Sequence, residues 1–285
     1  MQILGFKWKN EDIWRPKILI KDNENKLRFL DVFDKSIFMK LGEKYCVGYF
    51  SNGKKTDCPQ NTIVKKGNIC DSCRDLDQYF KCIECTGTCI NEKNRDNCKE
   101  STFYMYFTTF GPLLKVGISQ EHRFYERMIE QGAELGIKFS RIKDGKEARV
   151  IEQEIKKLLY CEDRVYGDIK EKTVFGDPNT VILKVKEALN TLQKNGYQMI
   201  NTEIYDFRKY YRLDRVKKTP LKINVDTGSV IQGDIVAAKG NIIIIKSADN
   251  FYTLNSHRLI SRELLEFSLE DSSIDKNIKI SEYSY

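Results

Sequence analysis

Eight of the nine cysteines fall within one short stretch: Cys46, Cys58, Cys70, Cys73, Cys82, Cys85, Cys89 and Cys98. Two of the spacings are CxxC, Cys70/Cys73 and Cys82/Cys85. A CxxC turn lets two thiolates reach one tetrahedral ion, with metal–sulfur bonds of about 2.3 Å. Eight thiols are enough for two four-cysteine zinc sites. The sequential partition is Cys46, Cys58, Cys70 and Cys73 in one, and Cys82, Cys85, Cys89 and Cys98 in the other. A cross-braced partition and an iron–sulfur cluster are the alternatives. A closed four-thiolate shell leaves no open coordination position, so the expected role of each ion is structural. The loops between the ligands carry Lys54, Lys55, Lys65, Lys66, Arg74 and Lys81, which suit a nucleic-acid surface as well as they suit solvated loops.

Composition sets the frame for these residues. Lys and Arg outnumber Asp and Glu by 48 to 41, a mild basic excess compatible with a nucleic-acid partner. The hydrophobic fraction of 41% is enough for packed cores. No apolar run approaches the length of a membrane span, and the opening residues lack a signal-peptide core, so a cytoplasmic protein without a membrane partner is expected. A reducing compartment favours metal over disulfides for clustered cysteines.

After the cysteines, residues 102–160 hold a compact set of elements. Two strand-like runs, 103–110 and 113–119, flank Gly111-Pro112 and predict a β-hairpin. A helix over 121–135 follows, with Phe124, Met128 and Ile129 on its apolar side. Next come a short strand over 137–142 and a helix over 146–160 with Ala148, Ile151, Ile155 and Leu158 at helical spacing. The order hairpin, helix, strand, helix predicts a small α/β core.

These residues resemble the GIY-YIG endonucleases. Thr102-Phe103-Tyr104 stands where that family carries its first motif and Lys115-Val116-Gly117 where it carries its second, with Arg127 on the first helix and Glu152 on the second. Thr102 replaces a Gly, Lys115 replaces a Tyr, and Gln131 stands where many members have a His. The resemblance implies that Tyr104, Lys115, Arg127 and Glu152 form a catalytic group. In that group Glu152 holds one Mg²⁺ or Mn²⁺ ion, Tyr104 helps activate water, Arg127 stabilises charge on the phosphate, and Lys115 relays a proton or binds phosphate. His122 is a further proton carrier on the same helix. Read without the resemblance, Tyr104 is a packing aromatic, and Arg123, Arg127 and Gln131 make a solvated helix stripe. The whole arrangement, with KVGIS, IEQGA and GDIVAAKGNIIIIKSADNFYTLNSHRLISREL, also resembles a prokaryotic family known only as a domain of unknown function.

The remaining chain supplies supports and a second candidate surface. Residues 1–45 read as a small antiparallel β unit, in which Trp8 and Trp14 are core or edge residues, with base stacking as the functional alternative. Asp177-Pro178 opens a packing helix that Gly196 closes. Residues 205–222, YDFRKYYRLDRVKKTPLK, interleave aromatics with cations. Arg208, Lys209, Tyr210, Tyr211 and Arg212, with Arg123, are therefore candidate nucleic-acid contacts; a surface connector is the other reading. Short strands between 221 and 265 predict a small β-barrel, and SLEDSSIDKNIKISEYSY a polar tail.

The expected fold is α+β. Its parts are a β unit (1–45), a Cys-rich zinc-binding segment (46–100), a GIY-YIG-like core with an added helix (101–200), a basic-aromatic connector (201–222), a small barrel (223–270) and a tail (271–285). The expected function is metal-dependent cleavage of DNA or RNA phosphodiesters. The alternative is a zinc-stabilised protein that binds nucleic acid on the same scaffold without cutting it.

Overall fold

The structure is a computed structural model that describes residues 1–176, 179–200 and 203–272. In chain order its elements are β1 (Gln2–Asn10), β2 (Trp14–Lys21), β3 (Leu27–Asp31), β4 (Lys35–Lys44), β5 (Tyr49–Ser51), β6 (Lys54–Thr56), α1 (Asp71–Leu76), α2 (Phe80–Glu84) and α3 (Arg95–Glu100). They continue with β7 (Thr102–Phe110), β8 (Leu113–Gln120), α4 (Phe124–Gln131), β9 (Leu135–Lys143), α5 (Gly145–Leu159), α6 (Gly167–Lys172) and α7 (Asn179–Lys194). The last strands are β10 (Tyr205–Asp206), β11 (Leu221–Lys222), β12 (Val230–Lys239), β13 (Ile242–Ser247), β14 (Asn250–Asn255) and β15 (Arg262–Asp271).

The two chain ends build one sheet. Nine strands run in the order β11-β14-β13-β12-β4-β15-β1-β2-β3. Alternation drives its inner face: Ile18 and Ile20 on β2, Ile37, Met39 and Leu41 on β4, and Ile243 and Ile245 on β13 meet in one cluster with Leu254 and Leu264. Residues near opposite edges share that cluster, so the sheet is rolled around it. It does not close into a barrel: β11 and β3 remain its two edges. The small barrel expected over 223–270 is therefore corrected. Its strands need partners from the N-terminal unit, because β4 pairs with both β12 and β15. The unbroken Ile242–Ile245 run is buried on both faces. Ile242 and Ile244 pack on Val174, Val236 and Phe251 at the back of the sheet. Residues 268–271, expected in the tail, belong to β15; residues 273–285 and the Asp177-Pro178 helix start lie outside the described residues.

The expected hairpin, helix, strand and helix of the middle segment all form, within two or three residues of the predicted bounds except at the ends of α4. The sheet order is β10-β9-β7-β8. Strand β7 is central, and period-two alternation gives it two apolar faces. Met105 and Phe107 meet Phe139, Ile155 and Leu192 on the α5/α7 side. Tyr106 meets Phe124 and Met128 of α4 on the other.

The two sheets are joined behind α4. Trp8 of β1 is fully buried against Phe33 and Tyr211, and its Nε1 donates to the Gly240 carbonyl at 2.8 Å. Gly132, in the left-handed region after α4, touches Gly240 in the β12–β13 turn; a Cβ on Gly240 would lie 2.5 Å from the Gly132 nitrogen. Nearby, Lys239 and Glu134 form a buried ion pair, and Glu134 accepts the Gly111 N–H at 2.8 Å.

Candidate functional site

The first cysteine set is brought together. The Sγ atoms of Cys46, Cys58, Cys70 and Cys73 all lie within 4.8 Å of one another. Cys46 ends the run out of β4, Cys58 follows the β5–β6 hairpin, and Cys70 and Cys73 straddle the start of α1. The Cys58 and Cys70 sulfurs are 3.9 Å apart; a tetrahedral ion with bonds of about 2.3 Å sets sulfurs about 3.8 Å apart. The Cys70 N–H donates to Cys46 Sγ at 3.2 Å and the Gly48 N–H at 3.4 Å, so the backbone already solvates a thiolate there. Burial and the neighbouring Cys70, Cys46 and Cys58 push the Cys73 thiol far up. Four thiolates this close cannot all ionise without a cation among them, and a divalent ion resolves that repulsion. The donor set fits a metal ion such as zinc.

The second set is not gathered in the same way, so the structure supports one of the two expected four-cysteine groups. Among the described residues no other such group forms. Instead, Cys82 Sγ accepts from the Asn91 and Asn94 amides at 3.1 and 3.4 Å, and Cys85 Sγ donates to the Thr88 carbonyl at 3.6 Å. Cys98 is packed at the start of α5, where a Cβ on Gly145 would lie 2.7 Å from its sulfur. Local amides and backbone groups have taken up these thiols one by one. Cys89, the remaining member, is half-buried.

In the α/β core, three of the four residues named by motif position gather around a fifth. Strand register sets Tyr106 opposite Gly117 and Thr108 opposite Lys115, so Lys115 reaches diagonally to place Nζ 5.3 Å from the Tyr106 ring centre. A Cβ on Gly117 would lie 2.5 Å from the Tyr106 hydroxyl oxygen and 2.8 Å from Lys115 Nζ; only glycine leaves room for this arrangement. Gln131 of α4 donates to the Tyr106 hydroxyl at 2.9 Å. Burial alone would push that hydroxyl up; the charges of Lys115 and Arg127 and the Gln131 bond outweigh burial, with Glu152 opposing, and hold it below the ordinary tyrosine range. Strands β7 and β8 and helices α4 and α5 thus bring Tyr106, Lys115, Arg127, Gln131 and Glu152 to one place.

Glu152 is buried, with Arg149 donating to its Oε2 at 2.7 Å from the preceding turn. Lys170 of α6 joins the cluster from the far side, its Nζ 5.3 Å from the Phe110 ring centre. Burial first, then Arg127, Lys115 and Lys239, bring Lys170 down to about 7. Tyr104 is held elsewhere. Its hydroxyl donates to Glu121 at 2.7 Å, and Lys138 lies over its ring and those of Phe124, Tyr125 and Tyr205. His122 is exposed, and Arg123 pairs with Glu126 and Glu130. Motif spacing did not point to Tyr106, Arg149 or Lys170. The signal for Tyr106 was there in the hairpin itself, since it is the residue that pairs with the motif glycine.

The basic-aromatic connector is largely committed to packing. Phe207 and Tyr211 are core residues, and the Tyr211 hydroxyl donates to the Ala133 carbonyl at 2.6 Å. Arg212 lies over the Phe33 ring and pairs with Asp34, as does Arg215. Arg208 pairs with Asp206, and Lys209 lies over Tyr210. The aromatics are interleaved with cations because one side of the connector seals the joint between the sheets.

These features define an α+β protein with one group of four cysteines that could hold a metal ion such as zinc, and a Tyr–Lys–Arg–Glu cluster in which Tyr106, Lys115 and Glu152 are buried and Arg127 is exposed. A family model, described as a protein of unknown function (DUF2797), matches residues 35–261. The chain belongs to that family. No curated protein and no solved structure matches it. Among the described residues, no helix is long and apolar enough to cross a membrane.

Proposed function

We propose that this protein cleaves phosphodiester bonds in nucleic acid, with the cluster around Tyr106 as its catalytic centre and a GIY-YIG-like core as its scaffold. The observation that carries the reading is the convergence on one hydroxyl of Lys115, Arg127, Gln131 and Glu152 from three other elements. Tyr106, rather than Tyr104, is the group that, once ionised to the phenolate, accepts a proton from the attacking water. The water oxygen bonds to phosphorus, the opposite P–O bond breaks with its electron pair going to the leaving sugar oxygen, which takes a proton from solvent water, and Arg127 and Lys115 balance the charge that builds on the phosphoryl oxygens. Glu152 suits Mg²⁺ or Mn²⁺, which such sites hold through one or two carboxylates with water and phosphate. A bound ion would neutralise the scissile phosphate. Arg149 neutralises Glu152 meanwhile and, with its side chain 30% exposed, has room to swing aside. The ion of the four-cysteine site, read here as zinc, is structural: it fixes a segment whose own core is only Cys46, Val64 and Cys73.

The Arg149–Glu152 pair also favours a second reading, in which the scaffold binds nucleic acid without cutting it. One assay separates the two: single- and double-stranded DNA and RNA with Mg²⁺ or Mn²⁺, beside Glu152→Gln and Tyr106→Phe. Cleavage that disappears in both variants supports the nuclease. Salt-dependent binding without cleavage on any substrate replaces it with the binding module. Neither binding nor cleavage overturns both.

A further inference from the structure

A cavity lies between the β1–β2 hairpin tip and the start of α4. Its volume is about 500 Å³, and Lys9, Asn10, Trp14, His122, Tyr125 and Glu126 line it, with Trp8 behind them. That volume is in the range of small-ligand sites. We propose that it is a nucleobase site, taking an unpaired base of the strand whose phosphodiester meets the Tyr106 cluster. The proposal rests on the nucleic-acid reading above and adds a specificity pocket to it.

Four observations point to a base. First, the aromatic side chains of Trp14 and Tyr125 line one small cavity, and every base offers a face to stack on them. Second, both rings are held in place. Trp14 packs partly buried against the cluster that holds Trp8 and Phe33, and Tyr125 lies edge-on to Phe124 at 5.4 Å and to Tyr205 at 5.5 Å. Tyr125 nevertheless stays 46% exposed beside the cavity, with Lys138 Nζ 5.5 Å from its ring centre. Third, the polar lining matches a base edge. The Asn10 amide can donate and accept, and the Glu126 carboxylate, aligned by Arg123 at 3.0 Å, can accept from a ring or exocyclic N–H. Fourth, Lys9 and His122 sit at the same cavity and can meet the adjoining phosphates.

The position relative to the catalytic cluster is also defined. On α4, Tyr125 and Gln131 are six residues apart, roughly 120° round a helix about 10 Å across. The base held at Tyr125 therefore flanks the reacting phosphodiester. A protein built this way prefers a particular unpaired base near the cut and tolerates others elsewhere.

Tryptophan fluorescence of the full chain tests this directly: Trp14 lines the cavity and Trp8 lies buried behind it, so Trp14→Phe separates the two signals. The probes are the four ribonucleoside monophosphates, with ribose 5-phosphate and inorganic phosphate as controls. Saturable quenching by at least one nucleotide, absent with both controls and strongly reduced in Trp14→Phe, is expected. Tyr125→Ala should weaken that binding about tenfold or more. Circular dichroism on both variants identifies any that fail to fold, and Tyr125→Ala, at an exposed position, provides the second reading. Quenching of undiminished amplitude and affinity in Trp14→Phe, or quenching that ribose 5-phosphate produces alone, overturns the site. No quenching by any nucleotide also overturns it; if oligonucleotides are still cut, the catalytic reading stands without the pocket.

Discussion

Lys170 offers the sharpest test of whether the cationic cluster is kept for function. Its side chain is largely buried, with Arg127, Lys115 and Lys239 as neighbours, and its ammonium falls from 10.5 to about 7. That fall corresponds to about 5 kcal/mol, to order of magnitude. The sign follows from linkage. A lysine depressed in the folded state leaves the unfolded chain binding more protons between the two values. Folding stability should therefore rise with pH from about 7 toward 10.5, and the full penalty is present below 7. Lys170→Met removes the charge and the ammonium–Phe110 contact but keeps most of the apolar stem, so at pH ~6 it should stabilise the protein by a few kcal/mol. That advantage should shrink as pH rises to about 9. Urea denaturation at pH values of about 6, 7.5 and 9, with the metal site kept loaded, measures it. The same variant should bind nucleic acid more weakly at the lowest of these pH values, with a shallower salt dependence. A variant that is less stable than the parent there, or whose advantage does not change with pH, would refute the electrostatic reasoning. A stabilised variant with unchanged nucleic-acid affinity would show that the charge is not kept for phosphate.

The other expectations are direct. Metal analysis should find one tightly held ion per chain. Cys73→Ser should lose it and unfold the segment around it, since structural zinc contributes on the order of 10 kcal/mol; two ions per chain would mean that Cys82, Cys85, Cys89 and Cys98 assemble after all. Tyr106→Phe should lower cleavage about 10²-fold or more with the fold intact by circular dichroism, whereas Tyr104→Phe should stay within a few-fold of the parent. The reverse order would return the catalytic role to Tyr104. Gly240→Ala should lower stability by roughly 2–4 kcal/mol in chemical denaturation, because its backbone is left-handed and its Cβ would strike Gly132. A loss under about 1 kcal/mol would mean the joint between the sheets yields easily.

The middle segment was legible because its signals are local. A Gly-Pro turn between two aromatic-rich runs, then helical and strand spacing, gave β7, β8, α4, β9 and α5 in order. The first metal site was legible for the same reason, since Cys70/Cys73 is a local turn and Cys46 and Cys58 are the thiols that precede it. The nine-stranded sheet was not. Its defining pairs join β4 to β12 and β15, which lie near the other end of the chain, and alternation within a strand says nothing about its partner. The same gap explains the second cysteine set, where Cys82/Cys85 has the right spacing but Asn91, Asn94 and Thr88 reach the sulfurs first. Tyr104 and Tyr106 occupy alternate positions on one face of β7, so motif alignment alone cannot choose between them. What separates them is tertiary. Glu121 takes the Tyr104 hydroxyl, and Gln131 and Lys115 converge on Tyr106.

The large sheet explains why so polar a cluster can be buried at all. Isolated, the four-stranded core would expose Tyr106, Gln131 and Glu134 beside α4. In the folded chain Trp8, Phe33, Tyr211 and Ala238 close that side, and Lys239 arrives from β12 to meet Glu134 and the Thr173 and Val174 carbonyls. Withdrawal from water strengthens each electrostatic interaction within the cluster. The Tyr106 hydroxyl is held below its usual range despite burial, and Lys170 is brought down toward neutrality. Lys170 then exchanges its proton near neutral pH and the Tyr106 hydroxyl gives one up more readily, which the core alone, open to solvent, would not achieve. Under the proposed function the N- and C-terminal strands would set the electrostatics of the cluster. Loosening the joint at Gly240 or Glu134 should shift the pH profile of cleavage before it unfolds the protein. A joint variant whose profile stays unchanged until the fold is lost would confine the large sheet to a structural role.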